Sequence, residues 1–239
     1  MIIGIHGKKR SGKNTVANYL KEIYPEMNVI NFSFAGALKH ITLESAPLMV
    51  RDVLTYEDLE GEGVIDRDKD NIFELAGVNE VDRRNKLGTW INRFRNMIEA
   101  KGFEYNGSSL ADYSYIKTVR DILVFFGTEI GRDMYVPTIW EDIVTKSVLV
   151  SEKNKQTPVL TDVRFDNEAK MVTKNNGIVL EVIRSDQTED KEENTHRSEY
   201  RLPPELIDYT LFNKYGDIDH LHGEIDSLIE NLKGEGYAI

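Results

Sequence analysis

The chain of 239 residues has the length of one large α/β domain, or of a core that carries an inserted subdomain. Hydrophobic residues make up 40% and charged residues 30%, a balance typical of soluble globular proteins. The absence of cysteine excludes disulfides, thiolate metal sites and cysteine nucleophiles, and the formal net charge of −11 argues against a polynucleotide partner. No apolar run approaches the ~20 residues that span a bilayer, and the apolar start is too short for a signal peptide. We therefore expect a cytoplasmic protein.

The first predicted elements indicate a parallel α/β sheet. The apolar run at 2–5 predicts a buried strand that leads into Gly7, and an amphipathic helix is predicted from Lys13. A second strand is predicted at 29–34, followed by a helix over about 35–47. Strand, glycine-rich turn, helix and strand in this order form a βαβ unit, which implies a parallel sheet.

The middle of the chain is less regular, and regular elements then resume. We interpret 50–115 as an insertion that packs on the core, with a helix around 90–98. The elements predicted after it are helices at 119–130 and 139–147, a central strand at 158–163, a helix at 165–174, strands at 177–183 and 208–213, and a final helix at 218–232. The segment 185–199 is rich in acidic residues and poor in apolar ones, which predicts an exposed loop.

A phosphate-binding loop follows the first strand. The segment from Gly7 to Lys13 matches the glycine and lysine positions of a Walker A motif, with a strand before it and a helix after it. Glycines allow successive backbone N–H groups to face a phosphate, and the helix adds the positive end of its dipole. Lys13 can then reach the β- and γ-phosphates. Asn14 stands where the general motif has Ser or Thr for magnesium, and Thr15 follows it.

A second candidate cluster follows the predicted central strand. Asp162 stands at its end, where parallel sheets place their active sites, and Arg164 comes two residues later. Asp162 could hold magnesium through water, and Arg164 could contact a transferring phosphate. The alternatives are an N-cap role for Asp162 before Phe165 and a surface position for Arg164.

These motifs resemble those of a known family. The segment Lys8-Lys9-Arg10-Ser11-Gly12-Lys13-Asn14-Thr15 is similar to the phosphate loop of the deoxynucleoside monophosphate kinases of large tailed phages, with Asn14 in place of the family Asp. Further parts of the pattern recur in order, namely Ala35 to Lys39, Glu60-Gly61 through Asp66-Arg67, Arg120, Gly127-Thr128-Glu129, Trp140, Asp162-x-Arg164-x-x-Asn167-Glu168, Thr195-His196-x-Ser198-Glu199 and Asn213. The similarity covers most of the chain and is weakest over 68–115.

The resemblance implies a P-loop kinase of parallel α/β fold that transfers a phosphoryl group from ATP, with Mg²⁺, to a deoxynucleoside monophosphate. The implied ATP site comprises Gly7, Arg10, Ser11, Gly12, Lys13, Asn14, Thr15 and Asn213. The implied monophosphate site comprises Lys39, Arg67, Arg120, Gly127, Thr128, Trp140, Asp162, Arg164 and Glu168. The implied catalytic residues are Lys13, Arg120 and Arg164, and the implied magnesium contacts are Asp162, through water, and Thr15.

Several of these residues have plainer interpretations. Trp140 on an apolar helical stripe can be a core residue instead of a platform for a base, Gly127 can simply end a helix, and Arg120 can be a solvated helix residue. The function also has rivals: a P-loop kinase acting on dephospho-coenzyme A, a nucleoside or a sugar acid, or a regulatory ATPase that hydrolyses ATP without an acceptor. We expect one kinase domain over 1–239, with an insertion at 50–115 and a lid at 185–199. Family analogy suggests a homodimer and, for a phage-encoded protein, the host cytoplasm.

Overall fold

The computed structural model describes residues 1–8, 10–106, 113–185 and 201–237. Within these residues, five parallel strands form one sheet in the order β2-β3-β1-β4-β5. The strands are β1 (Ile3–His6), β2 (Val29–Phe32), β3 (Thr157–Leu160), β4 (Ile178–Arg184) and β5 (Tyr209–Asn213). The prediction of a parallel α/β fold is confirmed, and each strand lies within two or three residues of its predicted bounds.

The seven predicted helices occur in the predicted order, together with three short helices at 48–51, 56–60 and 72–75 that were not predicted from the sequence. They are α1 (Lys13–Ile23), α2 (Phe34–Ser45), α3 (Leu48–Arg51), α4 (Tyr56–Glu60), α5 (Ile72–Leu75), α6 (Glu80–Glu99), α7 (Val119–Val124), α8 (Ile139–Lys153), α9 (Asp166–Lys174) and α10 (Ile218–Gly234). Helix α7 continues into π-helical turns over Phe125–Arg132, so the predicted helix at 119–130 changes its winding halfway. Within the described residues, no helix is both long and apolar enough to cross a membrane.

The central strand β1 carries the phosphate loop. It pairs with β3 on one side and β4 on the other, and all four of its residues are buried. Its burial is expected, because helices cover both faces of a parallel sheet. Since all strands run in the same direction, the segments that follow β1 to β5 all leave the same edge of the sheet, where α/β proteins bind their ligands.

Strand β3 ends earlier than predicted, at Leu160 rather than 163. Thr161 still donates its backbone N–H to Phe32 of β2, at 3.1 Å, but Val163 donates to Ile5 of β1, at 3.2 Å. A straight strand would direct residues two apart to the same neighbour, so the chain turns between these two bonds. Asp162 therefore lies in a turn beyond the strand end and not within the strand.

The chain divides into two compact units. The first comprises Met1–Phe34 and the part from Val144 onwards, and the second comprises Ala35–Ile143. The core of the first unit joins the buried faces of β1, β3 and β4 to α1 and α10, with Leu20 and Ile225 among its fully buried side chains.

The second unit has its own aromatic core. The rings of Phe94 and Phe126 stack with centroids 4.3 Å apart, and Trp90 Nε1 donates to Thr42 O at 2.9 Å. The predicted insertion at 50–115 falls inside this unit, but its bounds stay a prediction. The predicted lid lies, beyond Ser185, outside the described residues.

Candidate active site

The phosphate loop of the first unit has the backbone conformation of an anion-binding site. Gly7, Arg10 and Gly12 have φ angles of 148°, 63° and 113°. A Cβ on Gly7 would come within 2.5 Å of the carbonyl oxygen of Val182 in β4, so only glycine fits there. Positive φ angles of this kind let backbone N–H groups of a tight loop turn inward, toward an anion. The residue that precedes the helix at Lys13 is Gly12, which makes no side-chain cap, and the helix N-terminus directly follows the loop.

Lys13 is held inside this loop. Its ammonium nitrogen donates to the carbonyl oxygens of Gly7 and Lys8, both at 2.7 Å. The ammonium group thus lies in the concave side of the loop, where a phosphate would face it. The two contacts also help to fix the loop, and the role of Lys13 in phosphate binding stays a prediction.

Two polar side chains complete the loop. The Oγ of Ser11 is fully buried and has no hydrogen-bond partner in the described part of the chain. A buried hydroxyl without a partner is costly, and a phosphate oxygen would satisfy it. Asn213, at the end of β5, donates its side-chain amide to Ser11 O at 2.7 Å. This bond supports the loop. The amide nitrogen of Asn213 would lie only 2.7 Å from a Cβ on Gly12, so the side chain packs closely against the loop backbone.

The remaining residues predicted for the nucleotide lie around the loop. Arg10 and Asn14 are exposed and Thr15 is half-buried in the first turn of α1. The carbonyl oxygen of Arg10 accepts a hydrogen bond from Arg184 Nη1 at 2.9 Å, and the Arg184 guanidinium lies 5.2 Å from the ring centre of Tyr215. This contact of Arg184 with the loop was not predicted from the sequence.

Asp162 makes different contacts from those predicted by the N-cap alternative. Its Oδ2 accepts from Ser33 Oγ and its Oδ1 accepts from the backbone N–H of Phe34, both at 2.8 Å. It thus joins the turn after β3 to the two residues that follow β2. The N-cap interpretation before Phe165 is wrong, because Glu168 satisfies the N–H groups there.

The carboxylate of Glu168 is buried and accepts hydrogen bonds from the backbone just before its own helix. Its Oε2 accepts from the backbone N–H groups of Arg164 and Phe165, at 2.6 and 3.1 Å. Such a carboxylate at the third helical position is one half of a capping box. It fixes the backbone of Arg164, whose side chain is exposed. The predicted substrate residue Glu168 therefore acts on Arg164 through the backbone.

In the second unit, the predicted phosphate-binding cations have carboxylate partners. Lys39 Nζ lies 2.6 Å from Glu60 Oε2, with the Lys39 side chain only 13% exposed. Arg120 pairs with Asp68 through its Nε, and its backbone N–H donates to Arg67 O. The hydrogen bond from Arg120 lowers the pKa of Asp68, so the carboxylate stays charged in mildly acidic solution.

Arg67 lies between these two pairs. A Cβ on Gly61, next to Glu60, would be 3.0 Å from Arg67 Cδ, so the two segments are in contact. The Nε of Arg67 is buried and has no hydrogen-bond partner within the described residues. The structure thus brings the cations of Lys39, Arg67 and Arg120 into one cluster, as the resemblance implied.

The segment that carries Glu60 is held by a buried carboxylate that the sequence did not reveal. Asp58 is 2% exposed and accepts from the N–H and the hydroxyl of Thr55, at 2.8 and 2.7 Å, and from the N–H of Ile65, at 3.0 Å. Burial raises its pKa, but these hydrogen bonds outweigh that effect and the pKa is lowered. The Thr-x-x-Asp pattern at 55–58 is the signal that could have identified this capping box.

Trp140 is a core residue of the second unit. Its ring is 3% exposed, and its Nε1 donates to Gly127 O at 2.9 Å. A Cβ on Gly127 would lie 2.7 Å from Leu38 Cδ2, which places the π-helical turns beside the neighbour of Lys39. Thr128 is exposed on these turns. This burial supports the core interpretation of Trp140 and disfavours a base stacked on its face.

The residues predicted for magnesium are compatible with a water-rich ion. Within the described chain, no group of three or more His, Asp or Glu side chains is placed to enclose a metal. Mg²⁺ in kinases is bound mainly by phosphates and water with one or two protein oxygens. The carboxylate of Asp162 and the hydroxyl of Thr15 are oxygen donors of this type.

The chain is similar to known nucleotide kinases over most of its length. Residues 1–225 match the family model described as deoxynucleotide monophosphate kinase. The chain is also 24% identical, over 246 aligned residues, to the deoxynucleoside-5'-monophosphate kinase of Escherichia phage T5, and the alignment covers 94% of each chain.

Proposed function

This chain belongs to the deoxynucleotide monophosphate kinase family and is a phosphotransferase acting on deoxynucleoside monophosphates, and we propose that ATP with Mg²⁺ is its phosphoryl donor. The reaction is the transfer of the γ-phosphoryl group of ATP to the phosphate of the acceptor, which yields ADP and a deoxynucleoside diphosphate. The observation that carries the donor assignment is the glycine-rich loop at the end of β1, with Lys13 in its concave side and the unpartnered Ser11 hydroxyl.

The loop is proposed to bind the donor phosphates mainly through its backbone. The N–H groups between Gly7 and Lys13 and the N-terminus of α1 supply partial positive charge that needs no reorganisation during the reaction. On binding, the Lys13 ammonium exchanges carbonyl partners for phosphate oxygens. Mg²⁺, held by Asp162 through water and by Thr15, would neutralise charge on the donor phosphates.

Arg164 is proposed to stabilise the charge that develops during transfer. Phosphoryl transfer requires positioning and charge stabilisation more than proton abstraction, because the acceptor phosphate is already anionic. Glu168 fixes the backbone at Arg164, and Asp162 fixes the turn before it. An arginine on a supported backbone loses less conformational entropy when it binds a phosphate.

The cation cluster of the second unit is proposed to bind the acceptor phosphate. Lys39 and Arg120 each have a carboxylate partner, but an ammonium has three donors and a guanidinium has five. Arg120 uses its Nε toward Asp68, which is compatible with phosphate binding at its terminal nitrogens. Arg67 contributes a buried Nε without a partner in the described residues. Trp140 and Gly127 are proposed to shape this site by packing.

An acceptor panel tests the proposal. ADP formation is followed with ATP and Mg²⁺ in the presence of deoxynucleoside monophosphates, ribonucleoside monophosphates, nucleosides, a sugar acid or dephospho-coenzyme A. We expect deoxynucleoside monophosphates to stimulate ADP formation, and Lys13→Met to abolish this stimulation without unfolding the protein. Stimulation only by another acceptor would overturn the substrate assignment, and acceptor-independent hydrolysis would indicate a regulatory ATPase. Replacing ATP by other nucleoside triphosphates tests the donor.

By family analogy we propose a homodimer, and the phage origin of the relative supports the proposal of action in the host cytoplasm. Sedimentation of the purified protein tests the first.

A further inference from the structure

His6 is the last residue of β1 and directly precedes the phosphate loop. Its side chain is 5% exposed, and its two ring nitrogens contact two separate backbone segments. Nδ1 lies 2.9 Å from Val163 O, and Nε2 lies 3.3 Å from the backbone nitrogen of Leu202. A carbonyl only accepts and an N–H only donates, so both bonds form together only in a neutral ring with its proton on Nδ1.

The bond to Val163 joins two parts of the site. Val163 stands between Asp162 and Arg164, and its own N–H donates to Ile5 O at 3.2 Å. Two consecutive residues at the end of β1, Ile5 and His6, therefore hold the turn that carries both side chains. The same two residues lead directly into Gly7, so the phosphate loop and the turn share one support.

The charged groups that face His6 come from three other segments. Glu181 is opposite His6 in the register of β4, is 3% exposed, and accepts from Arg201 at 2.7 and 2.6 Å. Lys13 approaches from α1. Burial lowers the pKa of His6 most, the bond to Val163 and the charge of Glu181 raise it, and the charges of Lys13 and Arg201 lower it. The net effect is a pKa below 6.5, which leaves the ring neutral at pH 7.

We propose that His6 is a positioning residue for phosphoryl transfer, whose neutral ring fixes the Asp162–Arg164 turn against the strand that carries the phosphate loop. The inference rests on the proposed function, because it assigns the turn to the reaction. Protonation at Nε2 removes the acceptor for Leu202 N–H and adds a cation near Lys13 and Arg201. The enzyme should therefore lose activity at acidic pH because His6 becomes protonated, although His6 contacts neither nucleotide.

Three substitutions separate the two hydrogen bonds. In His6→Asn the amide nitrogen stands near the place of Nδ1 and can donate to Val163 O. In His6→Gln the amide oxygen reaches the place of Nε2 and can accept from Leu202, while His6→Phe retains neither bond. We expect kcat within about threefold of wild type for His6→Asn, which keeps the bond to Val163. We expect kcat about tenfold lower for His6→Gln and His6→Phe, because both lose that bond, and a factor of ten corresponds to roughly one hydrogen bond. KM for both nucleotides should change less than kcat, because the phosphate loop and the acceptor cations remain.

The pH dependence distinguishes positioning from simple structural support. The ratio of kcat between wild type and His6→Asn cancels the titration of the substrate phosphates. It should be constant above pH 7 and fall as the pH drops below 6.5. The control is His222→Gln. The His222 ring stacks on Tyr19 with ring centroids 4.0 Å apart. The ratio of kcat between wild type and this variant should not change with pH. Nitrogen NMR of the His6 ring, which does not depend on activity, should show the proton on Nδ1.

The possible outcomes discriminate between the two proposals. A folded His6→Phe variant with wild-type kcat, a flat kcat ratio for His6→Asn, or a proton on Nε2 would overturn this inference while leaving the kinase assignment intact. A wild-type protein that phosphorylates no deoxynucleoside monophosphate would instead overturn the proposed function, and the positioning role would fall with it.

Discussion

Arg164 is exposed as a side chain but fixed as a backbone residue. Its N–H is bound to buried Glu168, and the preceding residue is bound to His6 and Ile5. A mobile arginine would place its charge near the substrate in the ground state and the transition state alike. An arginine on a fixed backbone can instead bind the transition state more tightly than the ground state. This is the arrangement expected of a residue that acts in the transition state.

Arg164→Ala should therefore lower kcat by about 10²-fold or more, with smaller changes in KM for ATP, because a charge-assisted contact made mainly in the transition state is lost. Steady-state kinetics with both nucleotides varied give the result. Arg51→Ala, a change at an exposed arginine of α3, is the control and should keep wild-type kinetics. A change confined to the KM for ATP would remove Arg164 from the transition-state role.

If Lys39 binds the acceptor phosphate as proposed, Glu60 competes with the acceptor for its ammonium group. The carboxylate is 2.6 Å from the ammonium and 35% exposed, and partly exposed ion pairs contribute about 0–1 kcal/mol. Glu60→Gln should therefore lower KM for the deoxynucleoside monophosphate by up to about fivefold, since no ion pair has to be weakened when the phosphate binds. Glu44→Gln, which removes the exposed partner of His40 in the same helix, should leave KM unchanged. A higher KM in Glu60→Gln would mean that the carboxylate orients Lys39 instead.

Residue roles were predictable from the sequence where they depend on local spacing. Lys13 follows from the glycines before it, and the structure places it in the loop. The partner of Lys39 lies 21 residues away and that of Asp162 lies 128 residues away, so their spacing carries no signal. Trp140 shows the limit of pattern matching, because its position on an apolar stripe fits both a core residue and a base platform. Only its burial separates them.

At the scale of elements, the phosphate loop depends on glycine for space as well as for φ. Gly7→Ala places a methyl group 2.5 Å from the Val182 carbonyl oxygen and 2.6 Å from Ser11 Oγ, at a φ of 148°. The loop must then move from the edge of β4, so we expect at least a tenfold loss of ATP affinity and a lower thermal midpoint. Calorimetric titration and thermal unfolding measure the two effects.

The matched control is Gly223→Ala, in the exposed middle of α10. A Cβ there has no atom within 4 Å and the residue has a helical backbone. This variant should gain about 0.5–1 kcal/mol of stability, because alanine loses less backbone entropy in a helix, and should bind ATP as wild type does. If both variants lost the same ATP affinity and the same thermal stability, the position of Gly7 in the loop would be no more sensitive to alanine than an exposed helical position.

Elements were predictable where the apolar period was regular, as in α1, α10 and the buried strands. The π-helical turns at Phe125–Arg132 were not predicted, and they pack against Trp140, which lies beyond this segment of the chain. A Cβ on Gly131 would lie 2.6 Å from Trp140 Cζ2, and Trp140 Nε1 is bound to Gly127 O. The wider winding brings two glycines to the indole, and no pattern within 119–130 encodes that contact.

For the whole molecule, the described groups with shifted pKa values predict two separate ranges of acid sensitivity. Burial lowers the pKa of His6 below 6.5. Hydrogen bonds lower the pKa of four carboxyl groups below 3.8, namely those of Asp58, Asp66, Asp68 and Asp217. At Asp58, the hydrogen bonds outweigh burial, which raises the pKa. A group with a lowered folded-state pKa stabilises the fold above its unfolded-state pKa, and this contribution is lost as the pH falls through the folded-state value. The histidine contribution is therefore lost first, below pH 6.5, and the carboxylate contributions only below pH 3.8.

The last prediction concerns the upper of these two ranges. Urea unfolding at pH 7.5 and 5.5 should show a smaller free energy of unfolding for the wild type at pH 5.5, because unfolded His6 binds a proton that the folded ring resists. In His6→Asn this difference should shrink. Far-UV circular dichroism is the appropriate probe, since Trp90 and Trp140 both lie in the second unit and tryptophan fluorescence would not report directly on β1. His222→Gln should retain the wild-type difference, and an equal pH difference in wild type and His6→Asn would show that His6 does not contribute to acid sensitivity.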